Sequence, residues 1–222
     1  MKYAYLLLVL IVLSVATTQG SVRFNRGDKV NVWVLKGIKL YKSPDSKSTI
    51  TSTIPYGVSV EVLSTGTDSL KAWQGKITND ITPVPVTLKG YWLKVKYGQI
   101  EGYVFDGYLS KMPCLKLNEN GSPEEVDTYI KRNYKGYTKR MIKKVVQGVD
   151  SEETTYYYKG AIILEESSGD GCWDTNVYFK GISYQDVQLF EKVCLNGADA
   201  AQDIKIKRLK NNIVKFSFAS CT

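Results

Sequence analysis

The 222-residue chain carries 30 lysines and arginines against 22 aspartates and glutamates, a formal charge of +8, with four cysteines and no histidine. Without histidine there is no Ser-His-Asp or Cys-His catalysis and no histidine-ligated metal site. Gly-x-Ser-x-Gly, Ser-x-x-Lys and glycine-rich phosphate loops are also missing, so neither an enzyme nor a cofactor is expected.

In chain order, Lys2 precedes an apolar stretch, Tyr3–Ala16, broken only by Ser14 and followed by Thr17, Thr18, Gln19 and Gly20. This reads as a secretory signal peptide cleaved after Gly20. The stretch is too short to span a bilayer, since a crossing helix needs about 20 apolar residues. The first cysteine is Cys114, too far along to carry a lipid anchor, and no later segment is apolar enough to cross a membrane. The mature chain is therefore expected to be secreted or periplasmic. Most of the positive excess lies early: residues 21–113 hold 13 basic and 7 acidic residues, residues 114–222 hold 16 and 15. Outside the cytoplasm such a charge suits acidic glycans, wall polymers or anionic surfaces rather than nucleic acid, with plain solubility as the competing account.

From residue 27 to residue 113 short runs of Val, Ile, Leu, Tyr and Thr are broken by Gly, Pro, Asp and Ser. They predict strands at Lys29–Leu35, Ile38–Tyr41, Thr49–Ile54, Ser59–Leu63, Tyr91–Tyr97 and Glu101–Val104. Ser43-Pro44-Asp45-Ser46 and Pro55-Tyr56-Gly57 supply turn dihedrals. The run GIKLYKSPDSKSTITSTIPYGVSVEVL, followed by Trp92-x-x-Val95, Gly102-Tyr103-Val104 and Tyr108-Leu109 in that order, resembles the bacterial SH3-like (Src homology 3) domain over residues 37–112. That resemblance implies a small β-barrel that binds a wall peptide or glycan. Residues 64–89 depart from it as a connection longer than most ordered loops. Leu70–Ile77 and Val84–Leu88 are expected to pair there as an extra hairpin carrying Trp73.

Small peptide-binding barrels use flat rings in a groove, because these bury much area at little entropic cost. Of the barrel aromatics, Trp92 and Tyr103 are expected in the core. Tyr41, Tyr56, Trp73 and Tyr108 are the expected ligand contacts.

Past Pro113 the pattern changes. Ser122-Pro123-Glu124-Glu125 reads as a helix start, with Val126, Tyr129 and Ile130 at helical spacing and Gly136 as the end. Strand-like runs follow at Arg140–Val146, Thr154–Glu165 and Cys172–Lys180, then a helix at Tyr184–Leu195. Ile204 and Ile206 alternate before Asn211-Asn212, and Val214, Phe216 and Phe218 after it, the pattern of a hairpin with one buried face. The expected fold is mainly β: an SH3-like barrel over residues 27–113, then a small α+β domain over residues 114–222 with two helices and an antiparallel sheet.

Cys114, Cys172, Cys194 and Cys221 are even in number in a chain read as exported, so disulfides are expected. Three pairings are open. Cys172–Cys194 with Cys114–Cys221 would tie the second domain's ends together, and buried free thiols are the alternative. No two cysteines are closer than 22 residues, which disfavours zinc.

Glu165, Glu166, Asp170 and Asp174 could supply the carboxylate pair of a glycan hydrolase, or calcium ligands without EF-hand spacing. The simpler account is an exposed hairpin turn. Lys131, Arg132, Lys135, Lys139, Arg140, Lys143 and Lys144, interleaved with Tyr129, Tyr134 and Tyr137, could grip an anionic polymer, or form a solvated face spread over two elements. The sequence therefore predicts a binding protein whose partner is a cell-wall polymer, a peptide or an envelope protein. A carboxylate-dependent hydrolase and a structural adaptor stand as alternatives.

Overall fold

The computed structural model describes residues 23–64, 72–77, 86–146, 148–159, 162–198 and 201–221. The expected signal peptide lies outside them. The first half forms β1 (Lys29–Val32), β2 (Ile38–Tyr41), β3 (Ile50–Ile54), β4 (Ser59–Val62), β5 (Ala72–Ile77), β6 (Val86–Tyr97), β7 (Ile100–Phe105) and β8 (Leu109–Ser110), with a 3-10 turn at Asp106–Tyr108 before β8. Their sheet runs β3-β2-β7-β6-β4-β1-β8, and β5 attaches to β6. Inward residues alternate along the short strands. Val30, Val32, Leu40, Ile54, Val62, Val95 and Val104 all fall in one small core, together with Phe24.

β6 does two jobs. Its first half, Val86–Tyr91, pairs antiparallel with β5, forming the extra hairpin. Its second half pairs with β7 from Trp92↔Phe105 to Tyr97↔Ile100, and with β4 at Val95 and Lys96. Gly102 lies where β7 meets β2, and a Cβ there would stand 2.7 Å from the Tyr41 carbonyl oxygen and 2.8 Å from the Leu40 side chain. The Gly-aromatic-Val motif is thus a close backbone approach that admits no side chain at its first position.

The second half forms α1 (Val126–Asn133), β9 (Tyr137–Val146), β10 (Val149–Tyr158), β11 (Ile162–Gly169), β12 (Cys172–Lys180), α2 (Tyr184–Cys194), β13 (Ala201–Leu209) and β14 (Ile213–Cys221). Its antiparallel sheet has the order β13-β14-β12-β11-β10-β9. The turns follow their chemistry. Asp170 and Gly171 take positive φ between the paired Gly169 and Cys172, and Asn211 and Asn212 do so between β13 and β14. Ser183 caps α2, its side chain accepting the Asp186 N–H at 3.1 Å.

Three expectations need correction. The first helix starts at Val126, not Ser122: the Asn118 side chain accepts the N–H groups of Asn120 and Ser122, and Pro123 bridges back to Leu117, so the polar groups are satisfied in a turn instead. The run Thr154–Glu165 is two strands, β10 ending at Tyr158 and β11 starting at Ile162. The cysteine pairing is neither Cys172–Cys194 nor Cys114–Cys221. Register places Cys172 opposite Cys221 on β12 and β14, and those two form the disulfide, while Cys114 and Cys194 are free.

The larger core crosses between the halves. Trp33, Leu88, Phe105, Met112 and Leu115 pack with Tyr129 and Ile130 of α1, Phe190 and Val193 of α2, and Val177, Phe179, Val214 and Phe216 of the sheet. Phe190 touches Tyr129, Phe179 and Phe216 at centroid distances of 5.1, 5.4 and 5.9 Å. No helix of the described residues is long and apolar enough to cross a membrane.

Candidate functional site

The core between the halves decides which aromatics are free. The Tyr56 hydroxyl donates to the Leu115 carbonyl at 3.0 Å, its ring packs on the larger core, and burial holds the hydroxyl far above its ordinary pKa. Tyr108 packs against both cores, edge-on to Phe105 at 5.0 Å. Tyr41 is half-buried on β2, edge-on to the buried Trp92 at 5.1 Å, and burial raises its hydroxyl too. Trp73 lies on β5 opposite Gly90, and its side chain lies outside the described residues. Of the four expected contacts, Tyr56 and Tyr108 serve the packing of the second half onto the barrel.

An open cleft of about 1180 Å³ lies beside that packing, where β6 and the 3-10 turn face the start of α2 and the β13–β14 turn. Arg23, Lys89, Tyr91, Asp106, Tyr184 and Arg208 line it. Arg23 closes its floor by donating to the carbonyls of Asp106 (2.9 Å) and Leu109 (3.1 Å) and to Asp186 Oδ1 at 2.7 Å, joining barrel to helix. Charge-assisted bonds of this kind are the stronger ones. Asp106 Oδ1 accepts the Tyr91 N–H at 2.7 Å and leans over Gly90, where a Cβ would stand 2.0 Å from that oxygen. Burial pushes the Asp106 carboxyl up to about 6, against the opposing pull of the Tyr91 N–H and Arg23. On the far wall the Arg208 guanidinium lies over the Tyr184 ring, 4.7 Å from its centroid, while Lys89 is exposed on the near wall.

The cleft is therefore flanked by exposed cations, carries two amphipathic rings and has one buried carboxyl, a set that suits a polar ligand with anionic groups. Among the described residues that line it, Asp106 is the one carboxylate. Sequence reasoning missed these residues. Tyr91 and Asp106 lie inside the recognised barrel segment, but Arg23, Tyr184 and Arg208 reach the site from distant parts of the chain and leave no local pattern.

Several members of the two charged clusters pair within the second half. Lys131 pairs with Asp127 at 2.7 Å, Arg132 with Glu124, Lys143 with Glu152 at 3.5 Å and Lys144 with Glu153 at 3.3 Å. The acids that answer the last two lysines come from β10, the neighbouring strand. Glu165 accepts the Tyr178 hydroxyl at 2.8 Å. Glu166, beside Asp127 and partly buried, is raised in pKa mainly by that burial. Among the described residues no group of three or more acidic or cysteine side chains could hold a metal ion.

Comparison with curated proteins and with solved structures finds no match to this chain. One family model does match, that of the bacterial SH3 domain, over residues 36–110. The motif order, the antiparallel sheet they build and this match agree, and that segment, about a third of the chain, is a bacterial SH3 domain.

Proposed function

We propose that the chain is an exported, non-enzymatic binding protein that holds a cell-wall peptide or glycan in the cleft between its SH3 domain and its second half. Bacterial SH3 domains are commonly cell-wall binding modules. The observation that carries the reading is the lining of the cleft: Lys89 and Tyr91 from β6, Tyr184 from the start of α2 and Arg208 from β13. Exposed cations attract the carboxylates of wall peptides, and tyrosine rings offer apolar faces to sugar or peptide with a hydroxyl at the edge.

A two-carboxylate glycan hydrolase needs a second acid facing Asp106 across about 5–9.5 Å. The described lining has no such acid, which favours binding over hydrolysis.

Calorimetric titration with soluble wall fragments tests the reading. Arg208→Ala and Tyr91→Ala are expected to weaken binding, each by about 1–2 kcal/mol, while Tyr41→Ala leaves it unchanged. The opposite order would return the site to the barrel's own rings.

A further inference from the structure

The sheet of the second half has two outer strands, and they differ. β13 is interrupted by a bulge between Gln202 and Lys205, with Asp203 at φ 53°. A bulge of this kind twists an edge away from further pairing. β9 pairs with β10 without a shift through ten consecutive residues, Val146↔Val149 to Tyr137↔Tyr158, and no strand lies on its outer side among the described residues. The barrel's outer strands are shorter, β3 with 5 residues, β8 with 2, and β5, attached to β6 alone, with 6. β9 is thus the long, regular edge of the molecule.

Its side chains are unusual for an edge. Tyr137, Met141, Ile142 and Val145 are exposed by 49, 44, 38 and 68 %, four large apolar groups on one ten-residue strand. Between them stand Lys139, Arg140, Lys143 and Lys144, and no acid. Edge lysines are a usual guard against self-pairing, because a second copy would bring like charges face to face. The guard has a sign, however. It repels a copy of this chain and attracts an extended segment carrying carboxylates at alternate positions: these would meet Arg140 and Lys144 on one face of the sheet, and the apolar residues between them would cover Met141 and Val145 on the other. Lys143 and Lys144 are held only by exposed ion pairs to β10 at 3.5 and 3.3 Å, worth little and easily exchanged.

We infer that β9 is a docking edge for an acidic, extended segment of a partner protein, which adds to the sheet as a further strand beyond β9. Backbone pairing supplies the affinity, and the lysines and arginine select the charge. The site is separate from the cleft, so its test does not depend on wall binding.

The probe is a labelled strand-length peptide alternating glutamate and valine, mixed with the whole chain at low salt and followed by fluorescence anisotropy. The acidic peptide binds and slows amide exchange along β9. A lysine-for-glutamate peptide does not bind. A central proline, which keeps the charge but breaks the strand, weakens binding about tenfold or more. Arg140→Glu with Lys144→Gln, both exposed on the face that meets the carboxylates, weakens it about tenfold while leaving the circular dichroism unchanged. Equal binding of the proline peptide, no binding of the acidic one, or unchanged exchange along β9 would each overturn the inference. Displacement of the peptide by a soluble acidic polysaccharide as effectively as by unlabelled peptide would also overturn it, assigning the strand to polymer binding.

Discussion

The rings of Trp33, just past the first barrel strand, and Phe190, in the middle of α2, lie 6.1 Å apart at an interplanar angle of 46°. Both are fully buried, and the Trp33 indole N–H donates to the Met112 carbonyl at 3.1 Å. The barrel and the second half therefore share the larger of the two cores. Removing the Phe190 ring leaves a cavity lined by residues of both, so Phe190→Ala is expected to cost about 3–5 kcal/mol. Urea unfolding followed by tryptophan fluorescence and by far-ultraviolet dichroism should show a single coincident transition that moves as a whole. Two separate transitions, with the barrel unaffected by the substitution, would contradict the shared core.

Asp106 gives stability a pH dependence of definite sign. Its carboxyl stands at about 6 in the fold against an ordinary 3.8, because burial disfavours the charged form. The folded state holds the proton more tightly than the unfolded one, so ionisation costs stability as pH rises from about 4 to about 6, by up to about 3 kcal/mol. Asp106→Asn keeps an oxygen for the Tyr91 N–H and removes the titration. Denaturation midpoints at about pH 4 and about pH 7.5 should show the variant without this fall, and more stable than the parent at the higher pH. Parallel pH profiles for the two proteins would refute this.

The cysteines separate cleanly. Cys172 and Cys221 are linked across a sequence separation of 49, and their replacement by serine is expected to cost about 2–4 kcal/mol. Burial pushes the Cys114 thiol up to about 12, and Cys194 is buried against the carbonyl of Glu191, 3.6 Å from its sulfur. Alkylation of the native protein near neutral pH should therefore be slow. Denaturation without reductant should expose two thiols to the reagent, and peptide mass mapping should find them at Cys114 and Cys194. Label on Cys172 would refute the pairing.

Gly102→Ala tests the close approach of β7 to β2. A Cβ would meet a backbone carbonyl at 2.7 Å, which gives only if the strands separate. The expected loss is about 1–3 kcal/mol, read as a lowered thermal midpoint. An unchanged midpoint would mean that the motif glycine is not required by packing.

What was legible in the sequence was local. The alternation of Val214, Phe216 and Phe218, the Asp170-Gly171 and Asn211-Asn212 turns and the Ser183 cap each write their geometry into adjacent residues. Ser122-Pro123-Glu124 misled for the same reason: a helix start and an Asn118-centred turn use the same polar residues, and the contact of Pro123 with Leu117 decides between them. The pairing of Cys172 with Cys221 depends on the register of β12 against β14, which period-2 patterns leave open. The cleft was hidden for a deeper reason. Amphipathic spacing reports that Tyr56 and Tyr108 have an apolar side to satisfy, not whether a ligand or the other half of the chain covers it. Once the larger core covers them, the exposed chemistry falls to Lys89, Tyr91, Tyr184 and Arg208, brought together only by the fold.

Co-sedimentation with intact, insoluble cell wall tests the central claim most directly. At low salt the protein should pellet with the wall, and Lys89→Glu with Arg208→Glu, which reverses both walls of the cleft without touching either core, should leave it in the supernatant. Equal pelleting of the reversed variant, or no pelleting of the parent protein, would contradict a wall-binding cleft between the SH3 domain and the second half of the chain.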